Sequence, residues 1–245
     1  MTSDLPPSIS FVVPCYNEAN NVADTVAEIR SAADVGPREY EIILVDDHSA
    51  DGTAEVMDRL AADDRRIRVL RNAVNLGYGG AYKRGAAVAR MDHVMLIPGD
   101  NGFPAPSIAE ILQHVGQADI VIPHVDNRNV RARWRTFVSG RYTALLNFLF
   151  RLRVSYYHSA VVHRTALLRT ITVTSNGFGF QAEAVVKLLA RGCSYVECGI
   201  SIREREAGQS SALRPRNIVS VLRTIAHLVY TVGLFRCHLT RNASR

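Results

Sequence analysis

Lysine is nearly missing from this chain: only Lys83 and Lys187 stand among 29 basic residues, so arginine carries almost all the positive charge. Compositional bias accounts for that as well as phosphate recognition by guanidinium groups does. Cysteine is also scarce. Cys15, Cys193, Cys198 and Cys237 form no CxxC pair and follow no zinc spacing, which excludes a disulfide framework and reads as packed free thiols in a reducing compartment. Long apolar runs are lacking: the charge-free stretches 224–235 and 142–150 hold 12 and 9 residues. About 20 are needed to span a bilayer, so no membrane span is expected. The opening MTSDLPPSIS has no basic stretch followed by an apolar run, so export is not expected and a cytoplasmic location is.

Acidic residues are few in one half. Residues 121–245 hold 5 acidic and 19 basic side chains, a net charge of +14, whereas residues 1–120 hold 18 acidic and 10 basic, a net charge of −8. An acidic half suits a cation or sugar hydroxyls, and a basic half suits a phosphate or an anionic membrane surface. No nucleic-acid recognition motif or aromatic–basic repeat accompanies the positive charge, so a nucleic-acid partner is not expected.

What is present is an ordinary globular balance in 245 residues, with 47% hydrophobic and 21% charged side chains. Short apolar runs at Ile9 to Val13, Tyr40 to Val45, His93 to Ile97 and Asp119 to Pro123 read as strands buried on both faces. Helical stretches lie between them, at Glu18 to Ala33, Thr53 to Ala62 and Gly80 to Arg90. This alternation predicts an α/β domain with an open, mostly parallel sheet whose ligands bind at the carboxyl ends of the strands. Beyond an arginine-rich stretch at Arg128 to Arg135, helices are expected over 137–152 and 180–190 and a strand over 194–202. From Ile218 onward, Leu222, Ile225, Val229 and Val232 recur at spacings of three and four, the pattern of an amphipathic helix with Arg223 and His227 on its other side. Such a helix docks on the domain's own core or lies in a membrane interface. The division expected is a catalytic domain over 1–212 and a helical extension over 213–245.

Chemistry-bearing residues gather where the strands end. The first strand runs into Pro14-Cys15-Tyr16-Asn17-Glu18, and the second ends in Asp46-Asp47-His48-Ser49-Ala50-Asp51-Gly52-Thr53. Asp51 or Ser49 would cap the next helix, which leaves the adjacent carboxylates Asp46 and Asp47 for other work. Because strand side chains alternate in direction, one of the pair can face the crevice while the other braces the loop. A glycine-rich turn, Asn75 to Gly85, opens a further helix and could bring backbone amides to a phosphate, but it matches neither a dinucleotide fingerprint nor a P-loop. The next strand ends in Pro98-Gly99-Asp100-Asn101-Gly102.

In order and spacing, the segments VVPCYNE, VDDHSADGT, NLGYGGAYKRG, GDN, GFGFQAE at 177–183 and the run Arg205 to Ser210 resemble glycosyltransferase family 2, in particular its polyprenyl-phosphate sugar transferases. The resemblance implies a GT-A type fold that takes a nucleotide-diphosphate sugar and moves the sugar, with inversion, to a polyprenyl (dolichyl-type) phosphate. It implies that Pro14, Tyr16, Glu18 and Asp47 line the nucleoside pocket with Asp46 beside them, and that Gly77, Lys83 and Asn101 also bind the donor. Asp100 corresponds to the last acid of the family's DxD motif, which holds Mg2+ or Mn2+. Arg135, Arg141, Arg205 and Ser210 would face the phosphates. Asp100, Glu183 and Arg205 would act in catalysis, with Glu183 as general base if the acceptor were a hydroxyl.

Several positions depart from the family. Pro98 replaces the first acid of DxD, Ser211 follows Ser210 where many relatives have lysine, and Tyr156-Tyr157-His158-Ser159 replaces an acid and a Gly-Phe pair. His158 and His163 read as core or hydrogen-bonding residues. Two alternative functions stay open: a soluble transferase acting on a hydroxyl of a metabolite or saccharide, and a non-catalytic nucleotide-sugar binder. The peripheral membrane contact expected for a lipid acceptor would run through the C-terminal helix.

Overall fold

The computed structural model describes residues 6–36, 38–127, 133–203 and 215–242, without the side chains of 133–135, 215–218 and 234–242. Its strands are β1 (Ile9–Cys15), β2 (Tyr40–Asp46), β3 (Ile67–Arg71), β4 (His93–Leu96), β5 (Ile120–Val125), β6 (Val162–Arg164) and β7 (Tyr195–Ile200). The helices are α1 (Val22–Ala33), α2 (Thr53–Asp63), α3 (Tyr78–Val88), α4 (Ala105–His114), α5 (Arg133–Phe150), α6 (Thr165–Leu168), α7 (Phe180–Ala190) and α8 (Pro215–Asn242). One seven-stranded sheet runs in the order β3-β2-β1-β4-β6-β5-β7. Pairings are parallel except where β6 runs antiparallel to β4 and β5.

Every residue of β1 and β2 is buried, as the unbroken apolar runs require. Alternation divides the strands between two layers. Phe11 and Val13 pack with Val26 and Ile29 of α1 and with Ile108 and Ile111 of α4, whereas Val12 between them packs with Ala81 and Tyr82 of α3 and Phe180 of α7. A third cluster joins Ile120 and Ile122 of β5 to Leu146 and Phe150 of α5, Val185 of α7, and Leu228 and Val232 of α8. Each such side chain contributes about 1.5–3 kcal/mol by leaving water.

The expected strands and helices are present, with shifted ends and four additions, β3, β6, α4 and α6. The first helix begins at Val22 rather than Glu18, because Asn17 and Glu18 donate their amides to Ser49 Oγ and Thr53 Oγ1 across the neighbouring loop. The third begins at Tyr78 rather than Gly80. Strand β3 escaped the apolar-run criterion because Arg68 and Arg71 interrupt it at a half-exposed edge, and β6 because it has three residues. The boundary expected between 212 and 213 lies outside the described residues, and α8 shares its core with α5 and α7.

The apolar stripe expected on α8 is split by the structure. Val232 and, in part, Ile225 face the core, while Leu222 and Val229 are exposed together with Val219 and Tyr230. Both faces of the helix are therefore apolar, with Arg223 exposed and His227 half-buried.

Helix α3 lies close against β1 because residue 85 has no side chain. A Cβ there would collide with Val12 Cγ1 and lie 3.1 Å from Val45 Cγ2. Gly85→Ala should therefore overpack the junction and destabilise the protein by about 1–3 kcal/mol, read as a lower denaturant midpoint at unchanged slope. An unchanged midpoint would mean that α3 moves aside freely.

Candidate active site at the strand tips

The carboxyl ends of β1, β2 and β4 meet at one edge, and their loops are tied together. Asp47 donates its amide to Cys15 O at 2.9 Å, and Gly99 donates to Pro14 O at 3.3 Å. Ala50 donates to Asn17 Oδ1, and Ala19 donates to Asp51 Oδ2. Asp51 also accepts the amide of Thr53, the first residue of α2, but the helix is capped at Gly52 with no side-chain cap bond, which corrects the expectation that Asp51 or Ser49 caps it; Ser49 serves Asn17 instead. Desolvation raises the Asp51 carboxyl, but the bonds from Thr53 and Ala19 outweigh it and hold the group below its ordinary value.

Cys15 is buried beneath this edge and reports the field there. Desolvation, then the charges of Glu18, Asp46, Asp100 and Asp51, push its thiol well above the usual range. It is an inert packing residue that marks a point where four carboxylates converge. Pro14 is buried beside it, and Tyr16 is 54% exposed at the mouth. Glu18 Oε2 accepts from Asn21 Nδ2 at 2.7 Å.

The two adjacent aspartates do different work. Asp46 Oδ1 accepts the amide of Ser49 at 3.0 Å within its own loop. Asp47, 3% exposed, accepts Leu76 N and Gly77 N at 2.8 Å each and Asn72 Nδ2 at 2.6 Å, with Asn72 in turn accepting from Arg84. Both Asp47 oxygens are thus committed to the glycine-rich turn and the asparagine before it, and Asp47 is the loop-bracing member of the pair.

This arrangement corrects the phosphate-cradle expectation for that turn. The Leu76 and Gly77 amides point at Asp47, and those of Gly79 and Gly80 donate to Asn176 O at 2.8 and 3.3 Å. Lys83 is likewise turned away from a donor-binding place: its ammonium donates to Val173 O at 3.0 Å. Burial lowers the Lys83 pKa, and the charge of Glu183 opposes that shift.

On the β4 side, Asp100 is half-buried and its Oδ1 accepts Gly102 N at 3.2 Å. Asn101 has φ +55° and donates its amide to Thr25 Oγ1, which fixes the loop on α1. Arg203, at the end of β7, donates to Asn101 Oδ1 at 2.9 Å and Glu28 Oε1 at 2.6 Å, which brings a cation to this loop. Sequence reading missed Arg203, Asn72 and Asn176, each of which lies just outside the segments singled out for chemistry. Among the described residues no group of three His, Cys, Asp or Glu side chains could hold a metal. The donor set fits a divalent ion that takes one carboxylate from the protein and its other oxygens from a diphosphate and water.

Glu183 does not occupy a base position. It is 0% exposed, and its carboxylate accepts the amide and hydroxyl of Thr174, the amide of Ser175 and the ammonium of Lys187. A carboxylate so saturated is a poor proton acceptor, which corrects the general-base expectation. Arg141 is exposed on α5 with its guanidinium 5.0 Å from the Phe137 ring centre, so it lies among apolar side chains. Arg205 and Ser210 lie outside the described residues, as does the Arg135 side chain. His158 stacks on Tyr142 with centroids 4.9 Å apart, and His163 is buried in the sheet, where desolvation lowers its pKa to about 4.

Comparison with known proteins agrees with this geometry. The chain is 32% identical over 213 residues to a polyprenol monophosphomannose synthase of Mycolicibacterium smegmatis, covering 81% of this chain and 78% of that protein. It is 28% identical over 215 residues to an undecaprenyl-phosphate mannosyltransferase of Micrococcus luteus, covering 81% and 85%. Among solved structures, mannosyl-3-phosphoglycerate synthase from Rubrobacter xylanophilus superposes with a TM-score of 0.70 at 21% identity, covering 93% of this chain and 75% of that one. Glucosyl-3-phosphoglycerate synthase from Mycobacterium tuberculosis, in complex with Mn2+, UDP and glucosyl-3-phosphoglycerate, superposes with a TM-score of 0.67 at 19% identity, covering 93% and 80%. The profile of Glycosyl transferase family 2 matches residues 10–173, and with the strand-tip site in the expected order the chain belongs to that family and is a glycosyltransferase of GT-A fold.

Proposed function

We propose that this glycosyltransferase moves a hexose from a nucleotide-diphosphate sugar to a polyprenyl phosphate at an anionic membrane surface, inverting the anomeric carbon. The observation that carries the acceptor side is the surface of α5 and α8. Phe137, Val138, Leu145, Phe148 and Leu149 on α5, and Val219, Leu222, Val229 and Tyr230 on α8, are all exposed. These two helices contain seven arginines and no aspartate or glutamate. Exposed apolar side chains with purely cationic flanks suit a surface that is oily inside and negative at its headgroups. No described helix is long and apolar enough to cross a membrane, so the contact proposed is peripheral. The polyprenyl-linked names of the two relatives support the same acceptor.

In this reading the donor nucleoside lies at the tips of β1 and β2, among Pro14, Tyr16, Glu18 and Asp46. Attack by an acceptor phosphate oxygen on the anomeric carbon breaks that carbon's bond to the donor diphosphate, which leaves with the electron pair. Attack opposite the leaving group gives inversion. A phosphate monoester has its second pKa near 6 and is already anionic at neutral pH, so the reaction needs no general base. This agrees with the saturation of Glu183. A Mg2+ or Mn2+ ion, when bound, supplies positive charge to the departing diphosphate. Asp100 would hold it, and Arg141, Arg135, Arg205 and Ser210 would steer the acceptor phosphate.

Two measurements test this. Turnover of nucleotide sugars on polyprenyl phosphate in vesicles should fall by about 100-fold or more in Asp100→Asn, with EDTA equally damaging to the wild type. Full activity of the variant, or full activity in EDTA, would remove the metal role. Separately, the full chain should bind anionic but not zwitterionic vesicles, more weakly as salt rises. Phe148→Glu, at a side chain 81% exposed, should weaken that binding by about tenfold or more with little loss of stability. Equal binding by the variant, or no binding by the wild type, would sink the membrane contact.

A further inference from the structure

Residues 172–176 lie between α6 and α7 and contain none of the strand-tip residues, yet both lysines of the chain end on them. Lys83 Nζ donates to Val173 O at 3.0 Å, and Lys187 Nζ donates to Thr172 O at 2.8 Å and to Glu183 Oε1 at 2.6 Å. Glu183 completes the clamp, taking the Thr174 amide and hydroxyl on Oε1 and the Ser175 amide on Oε2, each at 2.9 Å. A guanidinium is a flat fork, whereas an ammonium is a compact point with three donors on a flexible stem. Carbonyl and carboxylate oxygens converging from different directions call for the second. The two lysines stand where that geometry is found, in a sequence that otherwise uses arginine.

The clamped segment acts as a strap on the donor side. Its Asn176 carbonyl accepts the amides of Gly79 and Gly80, which open α3 next to the turn held by Asp47. The contact leaves no room for side chains. A Cβ on Gly79 would lie 2.9 Å from Gly177 O and 2.9 Å from Phe180 Cβ, and one on Gly77 would lie 2.9 Å from Asn176 O. Just beyond the strap's far end, a Cβ on Gly179 would lie 2.8 Å from Thr224 Oγ1 of α8. The strap and the residues that follow it are gripped between the glycine-rich turn and α8.

We propose that Glu183, Lys83 and Lys187 are positioning residues for the donor nucleotide: by fixing the strap they fix the turn at 76–80 against Asp47, and Glu183 transfers no proton in the reaction. This rests on the reading above that the nucleotide occupies the strand tips. Burial pushes the Glu183 carboxyl up, but Lys187 and the amides of Thr174 and Ser175 outweigh it and keep the group below its ordinary value. That agrees with a permanently ionised anchor.

The test uses the full chain and three variants, Glu183→Gln, Lys83→Arg and Lys187→Arg. The arginine variants keep the charge and serve if Glu183→Gln does not fold. Hydrogen exchange should lose protection at Gly79 and Gly80 and then at Leu76 and Gly77, while β5 and β7 keep theirs. In turnover the donor KM should rise by about tenfold, the scale of one lost charge-assisted hydrogen bond, with kcat within about twofold and the pH profile unchanged. A fall in kcat at constant donor KM, with loss of the acidic limb of the profile, would make Glu183 a proton acceptor and overturn the proposal. Unchanged protection at 76–80 in a folded variant would overturn it as well. If the wild type turns over no nucleotide sugar, the functional reading fails, and exchange still decides whether the strap sets the turn.

Discussion

A buried carboxylate must be paired, and the pairing of Asp47 organises the region around the strand tips. Its two oxygens accept two backbone amides and a carboxamide at 2.6–2.8 Å. Removing that carboxylate would leave the Leu76 and Gly77 amides without a side-chain acceptor of comparable strength, at about 1–3 kcal/mol for each buried group left unpaired. The consequence reaches far because the turn so held starts α3, α3 packs on β1 and β2, and the next amides of the turn bind the strap at Asn176. From β2 to α7 the elements are joined by short hydrogen bonds and by glycines that admit no side chain. The pocket wall inherits its rigidity from that chain of contacts.

Charge is distributed to match. The acidic half supplies the carboxylates around Cys15, and the basic half supplies α5 and α8, where no acid opposes the arginines. A donor that carries a diphosphate and an acceptor that carries a phosphate make opposite demands on a site. The first needs hydroxyl acceptors and a place for a cation, and the second needs fixed positive charge. In the function proposed above, segregating the two signs along the sequence would let one sheet edge serve the donor while the outer helices serve a negatively charged surface. The saturation of Glu183 belongs to the same logic, since an ionised phosphate needs no base.

Much of this was legible in the sequence where burial is complete. Strands β1 and β2 announced themselves because both faces are covered and their side chains are mostly apolar, the buried Ser10 and Glu41 bonding each other across the pair. Asp46, Asp47, Asp51 and Asp100 were placed correctly at strand ends because ligand-bearing loops of α/β sheets lie there. Strand β3 was hidden by Arg68 and Arg71, since an edge strand tolerates charge that a central strand does not. Lys83 and Glu183 were read as donor-binding and catalytic because the family resemblance implies those roles at their positions. Their partners are backbone carbonyls, amides and one another's neighbours, none of which has a sequence signature. The two faces of α8 failed for a related reason: a helix with apolar side chains on two faces has a periodicity that does not say which stripe meets the core.

The replacement of the first DxD acid by Pro98 is best understood through the same field. Glu18, Asp46, Asp51 and Asp100 all act on the Cys15 thiol, so the edge is negative before any ligand arrives. Arg203 brings a cation to the Asp100 loop, but its guanidinium is already bonded to Asn101 and Glu28. A nucleotide diphosphate entering such a field brings further negative charge, at a cost that falls only if a cation comes with it. A second carboxylate at position 98 would deepen the negative field without being needed to fill the shell of a small divalent ion, most of whose oxygens come from phosphate and water. Under the proposed reading, Pro98 would leave out a charge that such an edge does not need, and the fixed φ of proline would stiffen the approach to Asp100. The departure from the family pattern is compatible with a metal that arrives with its diphosphate and is held at one point by the protein.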